Sequence, residues 1–204
     1  MTTLSPSRPT SGPLPGFGDT IHDAQRVFRA VLDAMARPGI VVDLAATIPA
    51  PAPLDPATVA VLMTLADFET PVWLDGRATN AAVTEHLRFH CGCPLTDAPT
   101  DAVFALVAEP ATMPPLAAFA QGTEEYPDRS ATIIVQVPSI TADSGWTLTG
   151  PGIRDHAHLG IGGLPPAFAG WLRDNQAGFP LGVDLIFTCG SRIAALPRST
   201  RVQE

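Results

Sequence analysis

The first sustained apolar pattern begins near Thr20. Ile21, Ala24, Val27, Phe28, Val31, Leu32 and Met35 recur at helical spacing, with Arg26, Arg29 and Asp33 off the stripe. Thr20 with Asp23 resembles a capping box that uses Asp for the usual Glu, and Pro38-Gly39 stops the helix after Arg37. Ile40–Leu44 predicts a strand, followed by a connection punctuated by Pro49, Pro51 and Pro53. Asp55-Pro56 predicts a helix start, an acid at the cap and proline at the first helical position. The turns after it, TVAVLMTLA, are apolar on nearly every side, which predicts a helix buried all round.

Pro71–Leu74 predicts a strand, and Asn80–Phe89 a helix with Glu85 and Arg88 exposed. Ala102–Ala108 and Ala131–Val137 are continuous apolar runs, suited to central strands covered on both faces. A short helix near Leu116–Phe119 fills the space between them. Trp146–Thr149 predicts a strand that leads into Gly150-Pro151-Gly152. Pro165–Gln176 predicts an amphipathic helix carrying Phe168, Trp171 and Leu172. Val183–Thr188 and Arg192–Leu196 predict a hairpin turning at Cys189-Gly190-Ser191. Alternating strands and helices give an α/β fold, one domain over residues 19–204 with a mixed sheet whose C-terminal end is antiparallel. Residues 1–18, rich in Pro, Ser, Thr and Gly, read as a flexible tail.

Composition changes this picture in three ways. Hydrophobic residues are 46% of the 204, so a chain disordered throughout is excluded. Twelve basic residues against twenty acidic ones give a net charge of −8, which argues against nucleic acid or an anionic membrane as a partner. All twelve basic residues are Arg. Without Lys there is no P-loop lysine, no lysine base and no lysine for a Schiff base, so an anion must be held by Arg forks or backbone N–H groups. The three cysteines are too few for a disulfide framework and suggest reduced thiols in a cytoplasmic setting. No basic region followed by an apolar run opens the chain, and no apolar stretch approaches the ~20 residues of a membrane span.

Several segments together resemble one family. They are Leu65-Ala66-Asp67, Thr70–Leu74, Leu87-Arg88-Phe89-His90, Leu148–Ile153, Phe179–Ile186, Thr188-Cys189-Gly190 and Leu196-Pro197-Arg198, all in order. The opening helix with Asp23-Ala24-Gln25 agrees as well. From about residue 20 onward the chain resembles the PhnH family of the bacterial carbon–phosphorus lyase system. The resemblance implies a fold related to the pyridoxal-phosphate-dependent transferases, but without that cofactor. It implies a homodimer that joins subunits G, I and J, and functionally L, in a core complex for phosphonate catabolism. That system makes ribose 1-phosphonate 5-triphosphate from ATP and a phosphonate. The resemblance implies no catalytic residue for this subunit, which is then not catalytic alone.

The residues leave a second reading open, a subunit with its own phosphonate or nucleotide crevice. Arg88, His90, Gly150, Gly152, Asp184 and Arg198 are its candidate ligand residues. Arg88 and Arg198 suit a fork on phosphate or phosphonate, and equally suit ion pairs with Asp67 or Asp184. Asp184 lies within an apolar run and requires a partner or a crevice. Gly150 and Gly152 can turn N–H groups toward an anion, although Pro151 removes one donor. His86 and His90 with Cys91 and Cys93 have a spacing compatible with zinc, but only His90 belongs to the family pattern. The expectation is therefore no metal, a surface His86 and a half-buried His90 satisfied by backbone. Ser191, Ser199, His156 and Asp155 lack a nucleophile elbow, so no hydrolase is expected.

Overall fold

The computed structural model describes residues 12–45 and 48–204. Helix α1 spans Thr20–Ala36, with Arg37 as its C-cap. Its N-cap is Asp19, one residue before the expected Thr20, and the Asp19 carboxylate accepts from the N–H groups of Ile21 and His22. Asp23 answers by accepting from the Asp19 N–H at 3.0 Å. The apolar stripe divides: Val27, Val31 and Ala34 are buried, whereas Ile21, Phe28 and Leu32 are exposed. The expected 1–18 tail falls partly outside the described residues. The part that is described lies against the body: Phe17 packs on the core and the Leu14 carbonyl bonds to His90.

The expected Ile40–Leu44 strand shortens to β1, Val42–Asp43. Helix α2, Pro56–Leu65, is buried from Ala57 to Leu62, as its all-round apolar sequence requires. Strand β2 is Val72–Leu74 and helix α3 is Ala81–His90, capped by the Asn80 side chain on the Val83 N–H. Strands β3 (Leu95–Thr96), β4 (Phe104–Val107) and β5 (Thr132–Gln136) follow, and the short helix expected near Leu116–Phe119 is a 3-10 turn at Leu116–Ala118, one of four such turns between β3 and β5. After β6 (Ile140–Thr149), β7 (Ala157–Ile161) and α4 (Phe168–Ala177) come β8 (Asp184–Cys189), β9 (Arg192–Leu196) and β10 (Arg201–Gln203).

The main sheet has the order β1-β9-β8-β5-β4-β2-β3. Strands β3, β2, β4, β5 and β8 are parallel; β9 runs against β8, and β1 against β9. Alternation explains why the central runs are apolar throughout. Leu106, Ile134 and Ile186 pack with α1, α2 and α3 on one face. Ala105, Val107, Ile133, Val135, Leu185 and Phe187 pack with α4, Leu116 and Phe119 on the other.

The expected single mixed sheet is supplemented by a second, antiparallel sheet of order β10-β6-β7. Strand β6 begins earlier than the expected Trp146–Thr149; after the buried Ile140, residues 141–145 are exposed and the pairing shifts register between Ala142 and Trp146, so that half carries no apolar alternation. Strands β7 and β10 escape prediction since each has a single fully buried apolar residue, Leu159 and Val202. No helix among the described residues is long and apolar enough to cross a membrane.

Candidate functional site

In an open, mostly parallel sheet the expected ligand position lies outside the carboxyl ends of the strands, where the strand order reverses. Here the reversal falls at β2, with β3 on one side and β4 on the other. Asp75, the residue after β2, occupies that place. Its carboxylate accepts from the N–H groups of Ala78 at 2.8 Å, Ala108 at 2.8 Å and Glu109 at 2.7 Å, and its side chain is buried. The backbone donors that would face a ligand between β2 and β4 are therefore already taken by the chain's own carboxylate.

The carboxyl ends of β5 and β8 are closed in the same manner. Gln136 accepts from the Asp55 N–H at 2.7 Å and from the Thr58 hydroxyl at 2.9 Å, and donates to the Pro53 carbonyl at 2.9 Å. Thr58 and Thr188 share a hydrogen bond of 2.7 Å in the interior. Asp55 caps α2 by position only: its carboxylate instead accepts from the Gly190 N–H at 2.9 Å, tying the helix start to the β8–β9 turn. Sequence reasoning missed Asp75, Thr58, Gln136 and Thr188. Asp75 follows a short strand and offered only a lone acid before Gly76; the others gain meaning from partners far away in sequence.

The six candidate ligand residues do not meet in one place. Asp184 and Arg198 form a half-buried ion pair at the amino end of β8, with Nη2 2.5 Å from Oδ2. Arg198 also donates to the Pro127 carbonyl at 2.7 Å, and its own backbone N–H donates to Asp184 Oδ1 at 2.8 Å. Asp184 has its partner, so its place in an apolar strand is explained. Gly150 borders the Ser199 carbonyl beside that pair. Gly152, at φ +81°, is forced by close approach, since a Cβ there would meet the Ala36 carbonyl at the end of α1.

Arg88 lies elsewhere, on α3, in a hollow with Thr79, Thr84, Thr96 and Asp97. It has no ion pair among the described residues. His90 is half-buried and its Nε2 is 2.8 Å from the Leu14 carbonyl. His86 departs from the expected surface position: it is 1% exposed, and neither ring nitrogen has a partner in the protein. The cause is its place on the same helical face as Val83 and Leu87, turned into the body. Burial, with the His90 ring nearby, lowers the His86 pKa to about 4. A hydrogen bond to Cys93, reinforced by burial, pushes the Cys91 thiol well above its ordinary range and keeps it a thiol. No cluster of three or more His, Cys, Asp or Glu among the described residues is placed to hold a metal.

The family profile described as "Bacterial phosphonate metabolism protein (PhnH)" matches residues 15–203. The chain is 38% identical over 187 residues to the alpha-D-ribose 1-methylphosphonate 5-triphosphate synthase subunit PhnH of Rhizobium meliloti (strain 1021), covering 92% of this chain and 94% of that protein. It is also 38% identical over 84 residues to the putative C-P lyase subunit protein HtxG of Stutzerimonas stutzeri, covering 40% of this chain and 42% of the other.

Proposed function

The chain belongs to the PhnH family of bacterial phosphonate metabolism proteins, and from that premise we propose that it serves as a subunit of the carbon–phosphorus lyase system. It assists formation of a ribose 1-phosphonate 5-triphosphate from ATP and a phosphonate, and is not catalytic alone. The observation that carries this reading is likeness along 92% of the chain to a named synthase subunit. The carboxyl ends of β4, β5 and β8 support it, because the polar groups described there are bonded within the chain. The domain 19–204 performs this role as a cytoplasmic homodimer joined to subunits G, I and J. The decisive experiment reconstitutes the synthase with and without this chain and follows release of adenine from ATP. Unchanged product formation without the chain would overturn the proposal.

A relationship of the scaffold to pyridoxal-phosphate-dependent transferases is part of the same reading. An open sheet of parallel strands with β9 reversed, helices on both faces, is compatible with that ancestry. The residues do not fit the cofactor itself: with no Lys in the sequence, the side-chain amine that ordinarily binds pyridoxal phosphate is missing.

One observation favours a ligand crevice on this chain. Arg88 is exposed, without an ion pair among the described residues, and lines its hollow together with three threonines. The three hydroxyls donate to carbonyls of their own chain, so it is the Arg88 guanidinium that would take an anion there. Titration of the chain with ATP and with methylphosphonate tests it; binding that survives Arg88→Ala undiminished would remove this site.

A further inference from the structure

Among the described residues, five of the nine exposed large apolar side chains occupy one end of the molecule. Phe68 precedes β2, Phe89 lies in the last turn of the helix before β3, Val103 precedes β4, Tyr126 lies in the connection to β5 and Phe179 in the connection to β8. Because these five strands are parallel, all five connections arrive at the amino-terminal end of the sheet. Hydrogen bonds stitch them side by side: Val72 N–H to Pro94, Val103 N–H to Pro71, Thr132 N–H to Val103 and Asp184 N–H to Ala131. Five adjacent strands span about 19 Å at the usual spacing. The four other exposed apolar residues, Leu14, Ile21, Phe28 and Leu32, are on the N-terminal segment and α1.

Beside Phe68 and Tyr126 the same connections hold five of the chain's twenty acidic residues. Asp67 and Glu69 flank Phe68, and Glu124, Glu125 and Asp128 surround Tyr126, all exposed. Arg129 is the base beside them, and its guanidinium sits 4.0 Å over the Tyr126 ring. Arg198 and Arg88 lie near this end too: Arg198 is matched by Asp184, and Arg88, in the same helical turn as Phe89, lines the hollow with Thr96 and Asp97. Nothing in the fold requires five protruding apolar residues at one end, since none contributes to the buried core.

We propose that the amino-terminal end of the sheet is a docking face for a partner protein whose contact surface presents Arg or Lys around apolar side chains. The inference rests on the subunit role and names the surface through which it is exercised. Charge selects the partner: a second copy of this chain would bring the same acids face to face, whereas a basic partner pairs with them. The apolar row supplies the buried centre and the acids the rim.

Assembly of the full-length chain with sister subunits G, I and J, followed by sedimentation velocity over a range of salt, tests this. The parent is expected to assemble, more weakly as salt rises. Phe68→Ser, and separately Glu124→Lys with Glu125→Lys, are expected to weaken assembly by about ten-fold or more. Ile21→Ser, equally exposed but on α1, is expected to leave it unchanged. Thermal melts confirm that each variant is folded, and Phe179→Ser replaces any that is not. If the parent assembles and the variants at this end assemble equally well, the docking face is wrong and the subunit role stands. If the parent joins no sister subunit, both readings fall. If the variants alter only the mass of the isolated chain, the occupant is a second copy and the proposal is overturned.

Discussion

At the carboxyl-terminal end of the parallel strands, Asp75, Gln136, Thr58 and Thr188 direct their polar atoms at partners within the chain. At the amino-terminal end, Phe68, Val103, Tyr126 and Phe179 project into solvent among unpaired acids. Sheets of this kind ordinarily reserve the first end for ligands. Here internal hydrogen bonds close it over β4, β5 and β8, the Arg88 hollow beside β2 and β3 being the part left open, and the exposed apolar side chains with no role in the core are at the opposite end.

The contrast can be broken most severely at Asp75. Asp75→Ala strips acceptors from three N–H groups in a buried setting, which is expected to cost about 3 kcal/mol and lower the melting temperature by roughly 10 °C. A calorimetric scan reads this directly; a loss below about 1 kcal/mol would mean that the carboxyl end is held by other contacts.

Next in size is an effect of pH on the helix between the two ends. The His86 pKa in the folded protein, about 4, is below the unfolded value of 6.5, so the native state binds fewer protons. The stability associated with neutral His86 is complete above pH 6.5 and is lost as pH falls toward 4, about 2 kcal/mol by pH 5. Urea melts at pH 7 and pH 5 should show a gap that narrows in His86→Leu. An unchanged gap would assign the acid sensitivity to other groups.

Smaller still is Asp184→Ala at the amino end, where the pair with Arg198 is only half-buried. A cost of about 1–2 kcal/mol is expected, because the Arg198 guanidinium keeps the Pro127 carbonyl and some access to water. Smallest of all, Glu124→Lys with Glu125→Lys should shift stability by less than about 0.5 kcal/mol in denaturant melts. Destabilisation well beyond that would show that this acidic turn supports the fold after all.

Much of the architecture was readable from local pattern. The buried helix after Asp55-Pro56, the central apolar runs and the hairpin at Cys189–Ser191 each carry a periodicity or turn chemistry that needs no distant partner. The family motifs likewise identified the chain's kin. The small second sheet was not readable, because β7 and β10 owe their pairing to β6 and not to any apolar alternation of their own. Nor was the depth of His86, since spacing names a helical face without saying what covers it.

Local sequence therefore determined most of the elements, the absence of any lysine chemistry and the strong excess of acid. The tertiary structure decided which polar residues are consumed inside and which stay free. Asp184 and Arg198 became partners, Arg88 stayed apart from them, and Asp75 filled the crevice at the strand reversal. The physical reason is that a polar atom's fate depends on the donors and acceptors within about 3 Å of it, and in a sheet ordered this way those neighbours come from remote parts of the chain.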